Sequence, residues 1–256
     1  INKYKIKNLL VTRSSKGMNL YSKKLQIKQS AVVRDVYDVT GAGDMVISII
    51  ALCLANKLEL SFSIMLASQA AGLAIKSIGT SSINAYDLIK SISANENLDS
   101  KIIKESEAGF LFKILKSNAL DIVMTNGCFD IMHAGHVNYL KEAKSEGDIL
   151  VVAVNSDSSV RANKGPNRPI IPEKYRLQML ASLDCVDFVI SFNEKTPYKL
   201  YSKLKPDILV KGGDYKIDQI VGSKPVIKNG GKVKVLGFYK SLSTSKIINK
   251  IKKINE

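Results

Sequence analysis

Six consecutive apolar residues, Ile149-Leu150-Val151-Val152-Ala153-Val154, stand with no polar residue among them. A strand with one wet face alternates apolar and polar residues, whereas a strand covered on both faces reads as a continuous apolar run. The run ends at once in polar Asn155-Ser156-Asp157, as the mouth of a buried strand should. From Asp121 the same plan repeats. Candidate strands Ile122 to Thr125, Ile149 to Val154, Phe188 to Ser191, Ile208 to Val210 and Val233 to Leu236 alternate with candidate helices. These helices are His136 to Lys144, Glu173 to Ser182, Pro197 to Lys203 and Thr244 to Lys252. Parallel strands need long crossovers, usually helical, so the pattern predicts an α/β domain on a Rossmann-like, doubly wound parallel sheet. Ligands of such sheets bind beyond the carboxyl ends of the strands, where the strand order reverses.

The strand ends therefore carry the candidate chemistry. Thr125-Asn126-Gly127-Cys128-Phe129-Asp130 leads through Ile131 and Met132 to His133-Ala134-Gly135-His136, which holds both histidines of the chain. A helix start offers unpaired N–H groups and a positive dipole end, so this stretch reads as a nucleotide phosphate site, with the imidazoles as added donors. His133, His136 and Lys211 are the catalytic candidates. Asn126, Gly127, Phe129, Asp130, Gly135, Asn155, Asp157, Lys164, Gly212, Ser243, Thr244 and Ser245 are the nucleotide-binding candidates. Lys164 is expected in a loop running to Arg168, and Ser243-Thr244-Ser245 at the start of the last helix. Together they outline a triphosphate site; singly, a Ser-Thr-Ser start is often a cap and Lys-Gly-Gly a turn. Cys128, Asp130, His133 and His136 could also ligate zinc, but their spacing matches no common site, so no metal ligand is assigned.

A second phosphate loop lies upstream. Asp38-Val39-Thr40-Gly41-Ala42-Gly43-Asp44 runs into an apolar helix, Met45 to Ala55. Gly41, Ala42 and Gly43 leave backbone N–H groups bare, and Asp44 puts a carboxylate in the first turn, an arrangement suited to phosphoryl transfer. Lys5 to Thr12 reads as a buried strand and Gly17 to Tyr21 as a second. Phe62 to Ile78, rich in small residues, is a helix that could flank an adenine pocket, and Ala85 to Ile92 is another helix. Polar Ser93 to Asn97 reads as a linker, followed by an amphipathic helix within Asp99 to Lys116. The expected organisation is a first domain over 1–93, linker and helix over 94–116, and the parallel-sheet domain over 117–256.

Asp38 to Asp44 resembles the ribokinase family signature Asp-x-x-Gly-Ala-Gly-Asp, which implies Asp44 as catalytic base and Gly41, Ala42 and Gly43 as anion hole. Thr12-Arg13-Ser14-Ser15-Lys16-Gly17 is similar to that family's Thr-x-Gly-x-x-Gly, with Ser14 in place of a glycine. The sugar-binding N-terminal portion has no counterpart, so only the C-terminal part of a ribokinase-like α/β domain is expected and no kinase activity from this chain alone. The second half resembles cytidylyltransferase-like nucleotidyltransferases through His133-Ala134-Gly135-His136 and Ser243-Thr244-Ser245. Thr125 to Asp130, Val154 to Asp157 and Val210 to Tyr215 bring it closest to the adenylyltransferase domain of bacterial heptose enzymes. Those enzymes fuse a heptose 7-phosphate kinase to a heptose 1-phosphate adenylyltransferase in this order. The resemblance implies AMP transfer from ATP, with Mg²⁺, to a sugar 1-phosphate such as D-glycero-β-D-manno-heptose 1-phosphate, for ADP-heptose and lipopolysaccharide core synthesis. Polyol-phosphate cytidylyltransferases are the rival. They usually carry a Trp after their Gly-Asp-Asp turn and an Arg before the last helix, whereas this chain has no Trp and has Lys240 near the second position. A non-catalytic regulatory protein built on a decayed enzyme is the alternative from another class.

Charge narrows the partners. The net charge of +15 comes from lysines scattered end to end rather than gathered in one stripe, which argues against a nucleic-acid partner. Three unpaired cysteines argue against a disulfide framework. The Met45 to Ala55 run is far short of the roughly 20 residues of a membrane span, so a soluble cytoplasmic protein is expected. A homodimer is left open.

Overall fold

The structure is a computed structural model that describes residues 1, 3–32, 36–76, 78–79, 82–93 and 98–237. The chain divides into two compact units, Ile1–Ala94 and Asn95–Glu256.

In the first unit, strands β1 (Asn8–Thr12), β2 (Met18–Ser22) and β3 (Gln26–Gln29) form an antiparallel sheet in that order. Helices α1 (Ala42–Ala55), α2 (Leu60–Ala74) and α3 (Ala85–Ser93) follow. Met18 and Leu20 of β2 pack with Val46 of α1 and with Ile64 and Ala67 of α2 as the core. The expectation of a buried strand over Lys5 to Thr12 is corrected. β1 starts at Asn8 and is mostly exposed, with Leu9 and Val11 each 38% accessible, because it is the sheet's edge strand. Ser14 stands where the ribokinase pattern has a glycine. It adopts φ 52, the left-handed region, at a cost of about 1–2 kcal/mol relative to glycine. Helix α2 stops at Ala74, short of Ile78. Its small residues allow close approach as predicted: a Cβ on Gly72 would lie 2.4 Å from the Val32 carbonyl oxygen, and the Ser68 hydroxyl donates to Ser30 O at 3.1 Å.

The second unit opens with strand β4 (Ile102–Ile103) and helix α4 (Glu105–Ser117). The helix expected within Asp99 to Lys116 is α4, preceded by a short strand the sequence did not suggest. Two β-branched residues, Ile102 and Ile103, pair with Val189 and Ile190, and the helix begins only where the Lys104 N–H donates to Glu107 Oε2 at 2.6 Å. Then come β5 (Ile122–Gly127), α5 (Ala134–Lys144), β6 (Ile149–Asn155), α6 (Asp157–Lys164) and α7 (Glu173–Ala181). β7 (Phe188–Phe192), α8 (Tyr198–Leu204), β8 (Ile208–Gly212), α9 (Ser223–Lys228) and β9 (Lys232–Leu236) complete it. The five predicted strands are present, joined by β4 in a six-stranded sheet of order β4-β7-β6-β5-β8-β9. All its pairings are parallel.

Every residue of β6 is buried, which is what its unbroken apolar run required. α6 and α9 are additions to the predicted elements. α6 runs to Lys164, so that lysine ends a helix rather than sitting in a loop, and Gly165 at φ 94 stops it. The helix expected over Thr244 to Lys252 lies outside the described residues. Chain order runs outward from β5 through β6 and β7 on one side, and through β8 and β9 on the other. The switch point is therefore the crevice between the carboxyl ends of β5 and β8.

Replacing Gly72 with Ala should destabilise the first unit by about 1–3 kcal/mol, because the added methyl group meets backbone. Urea unfolding checks this, and a wild-type midpoint would contradict the Gly72–Val32 approach.

Candidate active site

The loop from β5 to α5 is built around Phe129. That residue is buried, holds φ 48, and packs its ring 5.5 Å from that of His136. A Cβ on Gly127 would stand 2.9 Å from Phe129 Cε2. The phenyl ring thus lies over Gly127 and leaves no room for a side chain there. Helix α5 begins at Ala134, two residues earlier than predicted, which makes His133 its N-cap and puts His136 in the first turn. Gly135 lies between them in that turn. The imidazole centroids are 4.0 Å apart, and both Nδ1 atoms are buried without a hydrogen-bond partner among the described residues. Burial lowers the pKa of His133. For His136, burial, then the charges of His133 and Lys164, lower it to about 4. At neutral pH the N-terminus of α5 therefore presents two neutral, stacked imidazoles.

The other lip of the crevice is Lys211, near the end of β8. Its ammonium donates to Asn126 O at 3.2 Å and Asn126 Oδ1 at 3.1 Å, across the switch point. The Tyr201 hydroxyl donates to the same Oδ1 at 3.1 Å. Burial holds the Lys211 ammonium below the usual lysine range, opposed by the nearby Cys128. Among the described residues no carboxylate pairs with it, so an anion entering the crevice would meet a cation ready for it. Beneath, the Tyr139 hydroxyl lies 2.6 Å from Thr125 Oγ1 and donates to Val210 O at 3.2 Å, tying α5 to β5 and β8. Gly212 is glycine because a Cβ there would lie 3.0 Å from the Tyr139 ring. Lys164 is exposed, at the end of α6, and is close enough for its charge to reach His136.

Several expected ligand residues also bond within the protein. Arg176, fully buried on α7, donates from Nε to Ile171 O at 2.9 Å and from Nη1 to Cys128 O and Asn155 O at 2.6 and 2.8 Å. Its Nη2 meets Asp157 Oδ1 at 2.8 Å. The same Oδ1 accepts the Glu173 N–H that opens α7, at 2.9 Å. Asn155 is turned to Ser159 Oγ at 2.9 Å. Asp130 is buried: its Oδ1 accepts the N–H groups of Ile170 and Ile171, and its Oδ2 lies 3.0 Å from Arg168 Nε. Asp130 Oδ1 and Asp157 Oδ1 thus have protein partners, while Asp130 Oδ2 is buried without a hydrogen bond among the described residues. Arg176 was missed, and nothing in the sequence sets it apart from Arg161 or Arg168. Ser243, Thr244 and Ser245 lie outside the described residues. Among the described residues, no group of three or more His, Cys, Asp or Glu side chains is placed to hold a metal.

In the first unit, Gly41 caps α1 with φ 79, Ala42 and Gly43 open it, and Asp44 sits exposed in its first turn. Asp38, the other carboxylate of that motif, accepts from the Thr40 N–H, the Thr40 hydroxyl and the Gly79 N–H at 2.9, 2.7 and 2.9 Å, which hold it below the usual carboxylate range. It clamps the loop. A cavity of about 500 Å³ is lined by Thr12, Ser14 and Gly17 together with Ala42, Gly43 and Gly72. The helix expected to flank an adenine pocket does line a cavity.

Comparison with known proteins places both halves. Residues 1–85 match the model of the pfkB family carbohydrate kinases, and residues 124–250 match the cytidylyltransferase-like model. Bifunctional protein HldE of Photobacterium profundum is 46% identical over 98% of this chain and 53% of its own length. Over nearly its whole length the chain is thus similar to bifunctional HldE proteins. The HldE of Vibrio vulnificus is also 46% identical, over 98% of this chain and 53% of the relative. The chain thus spans about half the length of the curated relatives it matches. A lipopolysaccharide core biosynthesis protein from Thermoplasma volcanium, of known structure, is 40% identical over 46% of this chain and 96% of that one, with a TM-score of 0.40. The HldE match covers both phosphate loops in one alignment, in the order in which the sequence presents them.

Arg176→Met should cost about 3–5 kcal/mol, because it removes the charged donor shared by the Cys128, Asn155 and Ile171 carbonyls and the Asp157 carboxylate. A loss under 1 kcal/mol in thermal or chemical unfolding would contradict the network. The His136 imidazole should titrate near pH 4 by NMR. Its folded pKa lies below the unfolded value of about 6.5, so the stability it contributes is complete above that pH and is lost as pH falls toward the folded value. A midpoint near 6.5 would contradict the burial described.

Proposed function

We propose that the second unit is an adenylyltransferase that moves AMP from ATP to a sugar 1-phosphate, D-glycero-β-D-manno-heptose 1-phosphate, giving ADP-heptose and pyrophosphate. Lys211, held by Asn126 at the mouth of the loop that carries both histidines, is the observation that supports this reading best. A phosphate between these groups would meet one cation, two neutral imidazoles and the N–H groups of a helix start. The motif order and the HldE relatives support the substrate. On this reading a sugar phosphate oxygen attacks the α-phosphorus in line and pyrophosphate leaves, with no protein nucleophile. His133 and His136 donate to the α-phosphate oxygens as charge builds there. Lys211 and Lys164 neutralise the phosphate chain, and Ser243, Thr244 and Ser245 hold its far end. Asn126 serves by aiming Lys211, and Phe129 by shaping the histidine loop. Mg²⁺ bound with ATP would supply countercharge on the phosphate chain beside Lys211 and Lys164.

We place the domains at 1–93 and 117–256, joined by 94–116, in a cytoplasmic enzyme. The first domain carries the ribokinase-type loop, with Asp44 as base and Gly41, Ala42 and Gly43 as anion hole.

Pyrophosphate release should appear with ATP and heptose 1-phosphate, and not with CTP or glycerol phosphate. His133→Ala and His136→Ala should each lower turnover by roughly 10²-fold with a smaller change in ATP affinity, while Asp44→Asn leaves adenylyl transfer intact. Unchanged rates in both histidine variants would sink the assignment.

A further inference from the structure

Lys211 depends on a neighbour that itself has to be held. The Asn126 side-chain oxygen has two lone pairs, and both are used: one by the Lys211 ammonium at 3.1 Å and one by the Tyr201 hydroxyl at 3.1 Å. An amide can rotate to present NH₂ in place of oxygen, and that face would repel an ammonium. Tyr201 adds to the preference against rotation: with the oxygen turned inward both donors are bonded, whereas a rotated amide could bond only the phenol oxygen and would set its NH₂ against the ammonium. Its ring is fully buried and tightly seated, since a Cβ on Gly222 would stand 2.3 Å from Tyr201 Cδ2. Burial, then Tyr139, push the phenol well above its ordinary range, so it remains a donor.

We propose that Tyr201, remote from the histidine loop in sequence, is a positioning residue for nucleotidyl transfer: it fixes the Asn126 amide, and Asn126 in turn aims the Lys211 ammonium into the switch-point crevice. This inference rests on the proposed role of Lys211 at the phosphates. Among the described residues, the groups placed around Lys211 are few. β5 and its loop bring Asn126 and Cys128, α8 brings Tyr201, and α5 brings Tyr139, whose hydroxyl donates to Val210 O beside it. The oriented oxygen favours the charged lysine, so loosening it moves the titration of Lys211 to lower pH. The alkaline limb of activity moves the same way.

The test uses the full chain and labels lysines with trace acetic anhydride across a pH series, reading Lys211 acetylation by peptide mass spectrometry. Tyr201→Phe keeps the ring and removes only the hydroxyl. Its Lys211 midpoint should fall below that of the wild type, and kcat for AMP transfer should fall roughly 3- to 10-fold, the worth of about one hydrogen bond, with KM for ATP nearly unchanged. Tyr198→Phe, an exposed change on the same helix, should alter neither. Asn126→Asp should raise the midpoint by placing a carboxylate against the ammonium. An unchanged midpoint in Tyr201→Phe overturns the proposal. If that variant does not fold, Asn126→Ala takes its place, where a lowered midpoint supports the proposal and an unchanged one overturns it. A wild-type protein that transfers no AMP would refute the catalytic reading, while the lysine titration would still decide the positioning of Lys211 separately.

Discussion

One buried guanidinium holds the second unit's site in shape. Arg176 collects the carbonyls of Cys128, Asn155 and Ile171 and the carboxylate of Asp157. Two of those carbonyls lie just past or at the ends of neighbouring parallel strands, where ladder bonding stops and backbone oxygens would otherwise be orphaned. A charged donor with five N–H groups can satisfy several at once, which no apolar residue of similar size could do. Asp130 repeats the device nearby by gathering the N–H groups of Ile170 and Ile171. These two residues let the loop from β5 to α5 keep a non-glycine left-handed residue, Phe129, and still deliver His133 and His136 to one helix start.

The site straddles the point where strand order reverses, and its two lips are coupled by polar contacts rather than by ladder bonds. Lys211 reaches from β8 to Asn126 of β5, and Tyr139 reaches from α5 to both strands. Such links are directional, so they set the aim of the functional groups more tightly than apolar packing could. Neutral imidazoles suit this setting. Burial and like charges nearby keep them unprotonated, so they can act as donors without adding two more cations beside Lys211 and Lys164.

The sheet was legible because its signal is local: an apolar run in β6 admits one environment, and short polar breaks mark the strand ends. The helix start at the histidines was legible for the same reason, through Gly135 and the residues around it. What could not be read was which polar residues face inward to protein. Asp130, Asn155 and Asp157 sit at strand ends just as ligand residues do, and only the three-dimensional positions of Arg168 and Arg176 show that Asp130, Asp157 and the Asn155 carbonyl also bond within the scaffold. The glycines carried a similar ambiguity. Gly127 and Gly212 make room for Phe129 and Tyr139, and a single sequence does not distinguish such a neighbour from a phosphate. β4 escaped notice because two residues are too few to carry a period.

The first unit keeps the backbone of an anion-binding helix start at Gly41 and a cavity beside it, while the second brings a lysine and two histidines to a parallel-sheet crevice. The central claim is that phosphorus chemistry in this chain occurs at the α-phosphate, in the second unit. Incubation with heptose 1-phosphate and ATP labelled at either the α or the γ phosphorus tests that claim most directly. The account predicts that the α label enters the sugar nucleotide and the γ label leaves as pyrophosphate; γ label in the sugar product, or no transfer of the α label, would contradict it.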